Sequence, residues 1–406
     1  MRSQNAKATR PRGGRRFRLV VLLPFAVALG WHVLSFGQTQ GQISVQQAVE
    51  PFDQLASQAL AAMNANEIPK AIRLFQKATA LRPKWSEGWW YLGTMSFDAN
   101  RLNRARDAFL HFVSVEHREP GPGFGMLGLT EFRLKDYHDA LSALERGREL
   151  GLGTNPEFVH RALYVDGVLF NLFGEPEIAL VRLTLIANQI AEAHPAAPEE
   201  TVLGDSDLLD AFGLAALRMP KLPAEITPNQ ASLIRSAGHA QALVAMQDRV
   251  AAGAELKQLV AKYPTTPNVH YMYGVYLLKE DPPASVNQFR KEIEISPKSS
   301  AAYIQLALEN LHIAKFTQGL HYAQEAIVLA PDNFVAHVAC GELWLGLGKN
   351  DRAIRELRTA VRLAPGSPDA HFALSRALDA AGREREAAQQ RAEFQHLRGL
   401  SNSVDH

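Results

Sequence analysis

Cysteine is almost absent from this sequence, since Cys340 is the single one among 406 residues. A lone thiol can form neither an intrachain disulfide nor a zinc site built from cysteines, so the sequence excludes both kinds of stabilising cross-link. Charged residues make up 21% of the chain and hydrophobic residues 47%. This composition is normal for a globular protein and argues against disorder along most of the chain.

Net charge is also low, at +1, but it is unevenly distributed along the chain. Seven Lys and Arg residues precede the first acidic residue, Glu50, and the remainder holds 36 basic and 42 acidic residues. A mildly acidic body does not offer the basic face that phosphate binding requires. We therefore predict that nucleic acid is not a partner.

Signatures of catalysis and of metal binding are missing as well. The chain has no GxSxG, no Walker-type phosphate loop and no HExxH. Gly123–Gly128 matches GxGxxG, but it follows a helix and a Pro-Gly turn where a dinucleotide site requires a strand. Glu309 with His312 and Glu393 with His396 have a helical metal-ligand spacing, but the two pairs are too far apart to share one site. We predict no catalytic residue, no cofactor and no metal.

The N-terminal segment has the character of an export signal. An uncharged apolar run at residues 19–36 follows the basic flank, and its eighteen residues reach roughly 27 Å as a helix, just enough to cross a bilayer core. Small residues at Ser35-Phe-Gly37 and Thr39-Gln-Gly41 offer cleavage sites, so both a cleaved signal and a retained single-pass anchor remain open. In either case the basic flank keeps the N-terminus cytoplasmic and the body outside, periplasmic or secreted if cleaved, and at the inner membrane if anchored.

What the sequence does contain is a repeat. "GLHYAQEAIVLAP", which ends at Pro331, and "AIRELRTAVRLAP", which ends at Pro365, align residue for residue at a distance of 34, and "AIRLFQKATALRP", which ends at Pro83, has the same spacing. Each unit begins with a first helix, and the quoted segments form the second helix. The first helix of one unit carries the pattern Trp89-x2-Leu92-Gly93. Small residues such as Gly93 allow two antiparallel helices to approach closely, and the proline ends the second helix.

A 34-residue period that carries an aromatic residue, Leu-Gly, Ala, Phe and Pro in order resembles the tetratricopeptide repeat. The resemblance is strongest over residues 52–147 and 268–394, and it weakens over 192–229, where we predict loops around one helix from Asp205 to Leu217. It implies an all-α fold, a right-handed superhelical solenoid of antiparallel helix pairs. The predicted segments are a signal or anchor (1–37), a Gln-rich linker (38–51), three repeat units (52–150), a divergent helical segment (151–232), further units ending in a capping copy (233–400) and a tail (401–406).

Three histidines recur at one place in the repeat. His270, His337 and His371 stand where Trp89 and Phe124 stand in earlier units. Imidazoles that lie one per unit are about 10 Å apart, which is too far to share a zinc ion with bonds of ~2.0–2.3 Å. We therefore predict that these rings fill the space between helices.

Function is predicted from the resemblance. Stacked helix pairs form a concave groove lined by the first helix of each unit, and such grooves bind extended peptides or helices. Carried over position by position, the groove residues are apolar, so the predicted partner is a protein segment recognised by buried area and not by the charged clamp known in this family. The predicted groove residues are Trp90, Phe97, Phe132, Tyr271, Val275, Ile304, Leu308, Val338 and Phe372.

Two hypotheses follow from an apolar groove. The first is a non-enzymatic scaffold for a protein complex, exported or membrane-anchored, whose partners are other proteins. The alternative is a periplasmic chaperone-like binder of transient clients. Membrane contact is expected only through residues 19–36, and only if the signal is not cleaved.

Overall fold

The structure, a computed structural model, describes residues 51–404. This part of the chain contains helices and no strand, which confirms the all-α prediction. Its contacts divide the chain into unit 1, which ends at Gly153, and unit 2, which begins at Thr154. The helices of unit 1 are α1 (Pro51–Asn64), α2 (Ile68–Leu81), α3 (Ser86–Asp98), α4 (Leu102–Val115), α5 (Gly121–Leu134) and α6 (Tyr137–Glu149).

Unit 2 holds the remaining described helices. A short 3-10 turn at Pro223–Glu225 interrupts them. The helices are α7 (Pro156–Leu172), α8 (Pro176–Ala193), α9 (Pro198–Gly204), α10 (Ser206–Ala216), α11 (Pro228–Ala245), α12 (Arg249–Lys262), α13 (Val269–Glu280), α14 (Pro282–Ile295), α15 (Ser300–His312), α16 (Phe316–Leu329), α17 (Phe334–Gly346), α18 (Asn350–Leu363), α19 (Pro368–Ala380) and α20 (Glu384–Val404).

Unit 1 consists of three helix pairs, α1–α2, α3–α4 and α5–α6. Ala71, Phe75 and Ala78 lie on one face of α2 and are fully buried, as the i, i+4, i+7 spacing of an amphipathic helix requires. In the next pair a Cβ on Gly93 would lie 2.6 Å from the Phe109 ring. The predicted role of the small residue, which is to admit the bulky residue of the facing helix, is therefore confirmed.

The C-terminal half of unit 2 repeats this pairing in α13–α14, α15–α16, α17–α18 and α19–α20. A Cβ on Gly341 would lie 2.4 Å from Leu357 Cγ, and Ala353 beside it is fully buried. The repeated prolines follow the second helices: α16 ends two residues before Pro331, and α18 ends two residues before Pro365. Proline cannot continue a helix, so the chain turns into the next pair at these points.

The divergent segment of unit 2 is more helical than the sequence predicts. Helix α10 coincides with the predicted helix to within one residue at each end, but α9 was predicted as loop. Helices α10 and α11 approach so closely that a Cβ on Gly213 would lie 1.9 Å from the Ile234 carbonyl oxygen, and one on Gly238 would lie 1.9 Å from the Leu209 carbonyl oxygen. Here two backbones are in contact, as they are in the α5–α6 pair, where a Cβ on Gly147 would lie 2.9 Å from the Gly125 nitrogen.

The predicted signal, and nearly all of the predicted linker, lie outside the described residues. Between residues 51 and 404, no helix has both the length and the apolar character needed to cross a bilayer.

Cys340 gives a direct test of the core of α17. Its side chain is 2% exposed, and burial, with Glu356 nearby, raises the pKa of the thiol to about 12. Because the thiolate is the reactive form, we expect a maleimide to modify the native protein at least ~100-fold more slowly than the urea-unfolded chain. Stopped-time labelling followed by mass spectrometry measures both rates. Equal rates in the two states would contradict this packing.

Candidate protein-binding surface

The first helices of the C-terminal pairs of unit 2 lie side by side. Helix α15 contacts α17, and α17 contacts α19, whereas the second helices α16, α18 and α20 make no comparable contacts with one another within residues 300–404. Helix α13 is the first helix of the preceding pair, and Tyr271 stands there at the position equivalent to Ile304 of α15. Pairs that are closer on one side curve toward that side, so the first helices form the inner face of this stack.

Two rows of equivalent residues follow this inner face, at intervals of 33 or 34 residues. Six of the nine predicted groove residues lie in these rows. Row one is Tyr271, Ile304, Val338 and Phe372. Row two, one helical turn further along each helix, is Val275, Leu308, Glu342 and Arg376.

Exposure differs sharply among these residues. Val275 is 42% exposed and Phe372 is 45% exposed, which makes them the most exposed apolar residues of the two rows. Leu308 and Val338 are half-buried, whereas Ile304 is only 7% exposed and packs with Ala326 of α16. The accessible apolar side chains therefore run obliquely over four first helices as Val275, Leu308, Val338 and Phe372. We call these four residues the apolar path.

Row one is held in place by the second helix of the same pair. The Tyr271 and Phe289 rings have centroids 5.8 Å apart, and those of Phe372 and Phe394 are 5.2 Å apart. Tilted aromatic pairs at these distances stabilise by roughly 0.5–1.5 kcal/mol beyond their buried area. The contact with Phe394 therefore holds the Phe372 ring in place while one side of the ring stays exposed.

Glu342 and Arg376 are the members of row two that the sequence interpretation missed. Arg376 Nη1 donates to Glu342 Oε2 at 2.8 Å, across the two neighbouring first helices. The side chain of Glu342 is 13% exposed and that of Arg376 is 51% exposed. Burial raises the pKa of the Glu342 carboxyl, and Arg376 opposes that rise. The 34-residue interval that located Val338 and Phe372 also locates this pair.

The other three predicted groove residues belong to unit 1. Trp90 is half-buried against Phe112 of α4, with ring centroids 5.3 Å apart, and Phe132 is half-buried beside Tyr137. Phe97 is only 2% exposed, and the guanidinium of Arg133 lies 4.5 Å from its ring centroid. A ring so thoroughly covered belongs to the packing and contributes little to any contact surface.

The recurring histidines are built into the helix pairs. In His270, His337 and His371, Nε2 donates to the carbonyl oxygen of the proline six residues earlier, at 2.9–3.0 Å. Trp89 does the same, since its Nε1 donates to the Pro83 carbonyl oxygen at 2.8 Å. The Nδ1 atoms meet side-chain oxygens of the second helix: Gln288 at 2.6 Å, Glu356 at 2.8 Å and Gln390 at 2.7 Å. Trp and His at this position share a flat ring with an N–H, whereas Phe124 at the same position has a flat ring alone.

Replacing His371 with phenylalanine tests this role. Phenylalanine keeps a flat ring but removes both hydrogen bonds, and it leaves the Pro365 carbonyl oxygen without its donor. We expect the free energy of unfolding to fall by about 1–3 kcal/mol in urea titrations followed by circular dichroism. His396→Phe is the matched control, because His396 is exposed on α20, and it should change stability by less than about 0.5 kcal/mol. Equal effects would contradict the packing role.

The two motifs that resemble a dinucleotide site and a metal site lie within packed helices. Gly128, the last glycine of GxGxxG, lies within α5, where a Cβ would lie 2.6 Å from Leu144 Cγ. His312 Nδ1 lies 3.4 Å from Glu309 Oε1 on α15. In the described part of the chain, no group of three His, Cys, Asp or Glu side chains is placed to hold a metal ion.

Comparison with known proteins finds a family resemblance in two stretches of these helix pairs. A family model of the tetratricopeptide repeat matches residues 57–113 and 341–393. Both stretches resemble the tetratricopeptide repeat. The two matched stretches cover most of α1–α4 and much of α17–α20, and both lie within the regions where the sequence most resembles this repeat. The second matched stretch includes the half of the inner face that carries Glu342 and Phe372.

Several solved structures resemble parts of the chain. A MamA double mutant is 19% identical, with a TM-score of 0.39, and covers 42% of this chain and 97% of its own. MamA from Desulfovibrio magneticus RS-1 is 19% identical, with a TM-score of 0.38, over 41% of this chain and 96% of its own. YrrB, described as a TPR protein with an unusual peptide-binding site, is 16% identical, with a TM-score of 0.36, over 41% of this chain and 86% of its own. No curated protein matches the chain.

Proposed function

We propose that this protein is a non-enzymatic scaffold that binds a segment of a partner protein on the inner face of unit 2. The observation that carries this proposal is the apolar path, whose two ends, Val275 and Phe372, are 42% and 45% exposed. Rows of apolar side chains on adjacent helices form the kind of groove that takes an amphipathic segment. The tetratricopeptide repeats support the proposal, because stacked helix pairs provide an extended surface of this kind.

Aspartate substitutions in the apolar path test the proposal. Val275→Asp with Phe372→Asp would place two carboxylates in the apolar contact, and each would lose hydration when a partner binds. We expect recovery of the partner in affinity purification of the full chain to fall at least ~tenfold. The matched control is Val250→Asp on α12 with Val328→Asp on the second helix α16, where these residues are 87% and 76% exposed.

The outcomes separate the hypotheses. Loss of one stoichiometric partner in the inner-face variant, with the control unchanged, supports the scaffold. Loss of many substoichiometric proteins supports the chaperone-like alternative. Equal recovery by the wild type and the inner-face variant, with both shown to be folded by circular dichroism, would refute binding at this face.

We further propose that the body is exported, with residues 19–36 as a signal or an anchor. The proposal rests on the basic flank and the uncharged apolar run in the sequence. Mass spectrometry of the N-terminus of protein isolated from cells tests it. A start at Gln38 or Gln42 indicates cleavage, and an intact N-terminus in the membrane fraction indicates an anchor. An intact N-terminus in the cytoplasmic fraction would refute export.

A further inference from the structure

The inner face of unit 2 presents a charge beside its apolar path. Arg376 lies one helical turn after Phe372 on α19, and its side chain is 51% exposed. Its ion-pair partner, Glu342, is 13% exposed and lies on α17. Because the carboxylate is the covered member of the pair and the guanidinium is the open one, the accessible charge at this point is positive.

Two further arginines lie on α20, the helix that packs against α19. Arg391 forms an ion pair with Asp379 of α19, and the guanidinium of Arg398 lies 5.5 Å from the centroid of the Phe394 ring that packs on Phe372. An arginine side chain has five N–H donors in a fork that fits a carboxylate. Arg376 gives one Nη1–H to Glu342, and the others can bond to an incoming carboxylate. The apolar path thus ends at an aromatic ring with the guanidinium group of Arg376 one helical turn away.

The spacing of the apolar path matches a helix better than a strand. Packed helices have axes 8–10 Å apart, so three steps between four successive first helices span about 24–30 Å. Residues i and i+7 of a helix are about 10.5 Å apart on nearly the same face, which matches one step. In a strand, three residues span about 10 Å and come nearest to one step of the apolar path. Successive side chains of a strand point to opposite faces, so at every third residue the contacting side chain would alternately face the surface and point away from it.

We infer that the occupant of the inner face is an amphipathic helix of about 21 or more residues with apolar side chains at heptad intervals and an Asp or Glu within one turn of the residue that meets Phe372. This inference rests on the proposed function and specifies its partner. The apolar side chains cover the apolar path. The carboxylate binds Arg376 and, at this edge of the interface, fixes which end of the helix lies on α19.

Exchanging the two charges of row two tests the electrostatic contribution to partner binding separately from the apolar contribution. Glu342→Arg with Arg376→Glu keeps an ion pair and the net charge of the chain, but places the carboxylate at the open position. Arg355→Glu is a control for added negative charge, because Arg355 is exposed on the second helix α18. Val275→Asp with Phe372→Asp again removes the apolar contact.

The probe is a displayed library of helical peptides, with leucine at heptad positions and random residues at the flanking positions, selected on the full chain. We expect the wild type and Arg355→Glu to enrich Asp or Glu near one end, and the exchange variant to enrich Lys or Arg there. The best acidic peptide should bind the exchange variant at least ~tenfold more weakly, and replacing its acid with lysine should restore binding. A proline at the centre of that peptide should abolish binding.

The failures are distinguishable. Suppose that peptides are enriched and that Val275→Asp with Phe372→Asp abolishes the enrichment. If those peptides show no preference for acidic residues, or if the charge exchange does not change that preference, this inference is overturned and the proposed function stays intact. Retained binding of the proline peptide would overturn the helical occupant. Absence of enrichment on every variant would overturn the helical occupant, and the affinity purification would still decide the proposed function. Enrichment that survives the two aspartates would overturn the inference together with binding at this face.

Discussion

Gly213→Ala is expected to lower the free energy of unfolding of unit 2 by about 3 kcal/mol or more, the largest effect of any single methyl group we consider. A Cβ at this position would lie 1.9 Å from the Ile234 carbonyl oxygen and 2.7 Å from its carbon. Those atoms belong to the backbone of α11, so no side chain can rotate away, and the two helices must separate. Separation would expose Leu214 and Ile234, which are 1% and 0% exposed.

The measurement is urea unfolding followed by circular dichroism and by hydrogen exchange, since repeat arrays need not unfold in one step. Gly204→Ala is the matched control, because no heavy atom lies within 4 Å of the position that its Cβ would take. Alanine there should be neutral or slightly stabilising. If Gly213→Ala were as stable as Gly204→Ala, the backbone contact between α10 and α11 would be refuted.

The second large effect is expected for Phe289→Ala. The ring is fully buried in the α13–α14 pair, and a Cβ on Gly274 of the facing helix would lie 2.6 Å from its Cε1 atom. Truncation leaves a cavity that a glycine opposite cannot fill, so we expect a loss of about 3–5 kcal/mol. Tyr271 packs on the same ring, so row one of the inner face should also become mobile at its α13 end.

Hydrogen exchange with mass spectrometry tests both the size and the place of this effect. In a repeat array each pair contacts its neighbours, so protection should fall in α13–α14 and α15 and stay close to the wild type in α19–α20. Val328→Ala, at a side chain that is 76% exposed, should leave exchange and stability nearly unchanged. Uniform loss of protection over all of unit 2 would contradict this local coupling.

The repeat period made most of the regular fold predictable. Pro331 and Pro365 mark the ends of second helices, and small residues such as Gly93 and Gly341 mark helix contacts, so local signals and tertiary packing agree. The close approach of Gly213 and Gly238 was not predictable in this way. These glycines are 25 residues apart and lie outside the 34-residue register, so nothing in the period indicates that they meet.

The candidate surface was predictable in position but not in character. The period correctly identifies residues of the first helices, yet exposure depends on what the neighbouring pair places above each one. Arg133 covers Phe97, and the position after Leu308 in row two is Glu342, bridged to Arg376, so the face is not uniformly apolar. Such contacts arise between pairs, and a pattern within one helix does not encode them.

Site-specific photo-crosslinking in intact cells tests the central claim, binding of a partner segment on the inner face, most directly. A benzophenone amino acid at Phe372 lies at the exposed end of the apolar path, and the same group at Val328 lies on a second helix with still greater exposure. We predict discrete adducts from position 372 that disappear when Val275→Asp is added, and no such adducts from position 328. Adducts of equal yield at both positions, or at 328 alone, would contradict the claim.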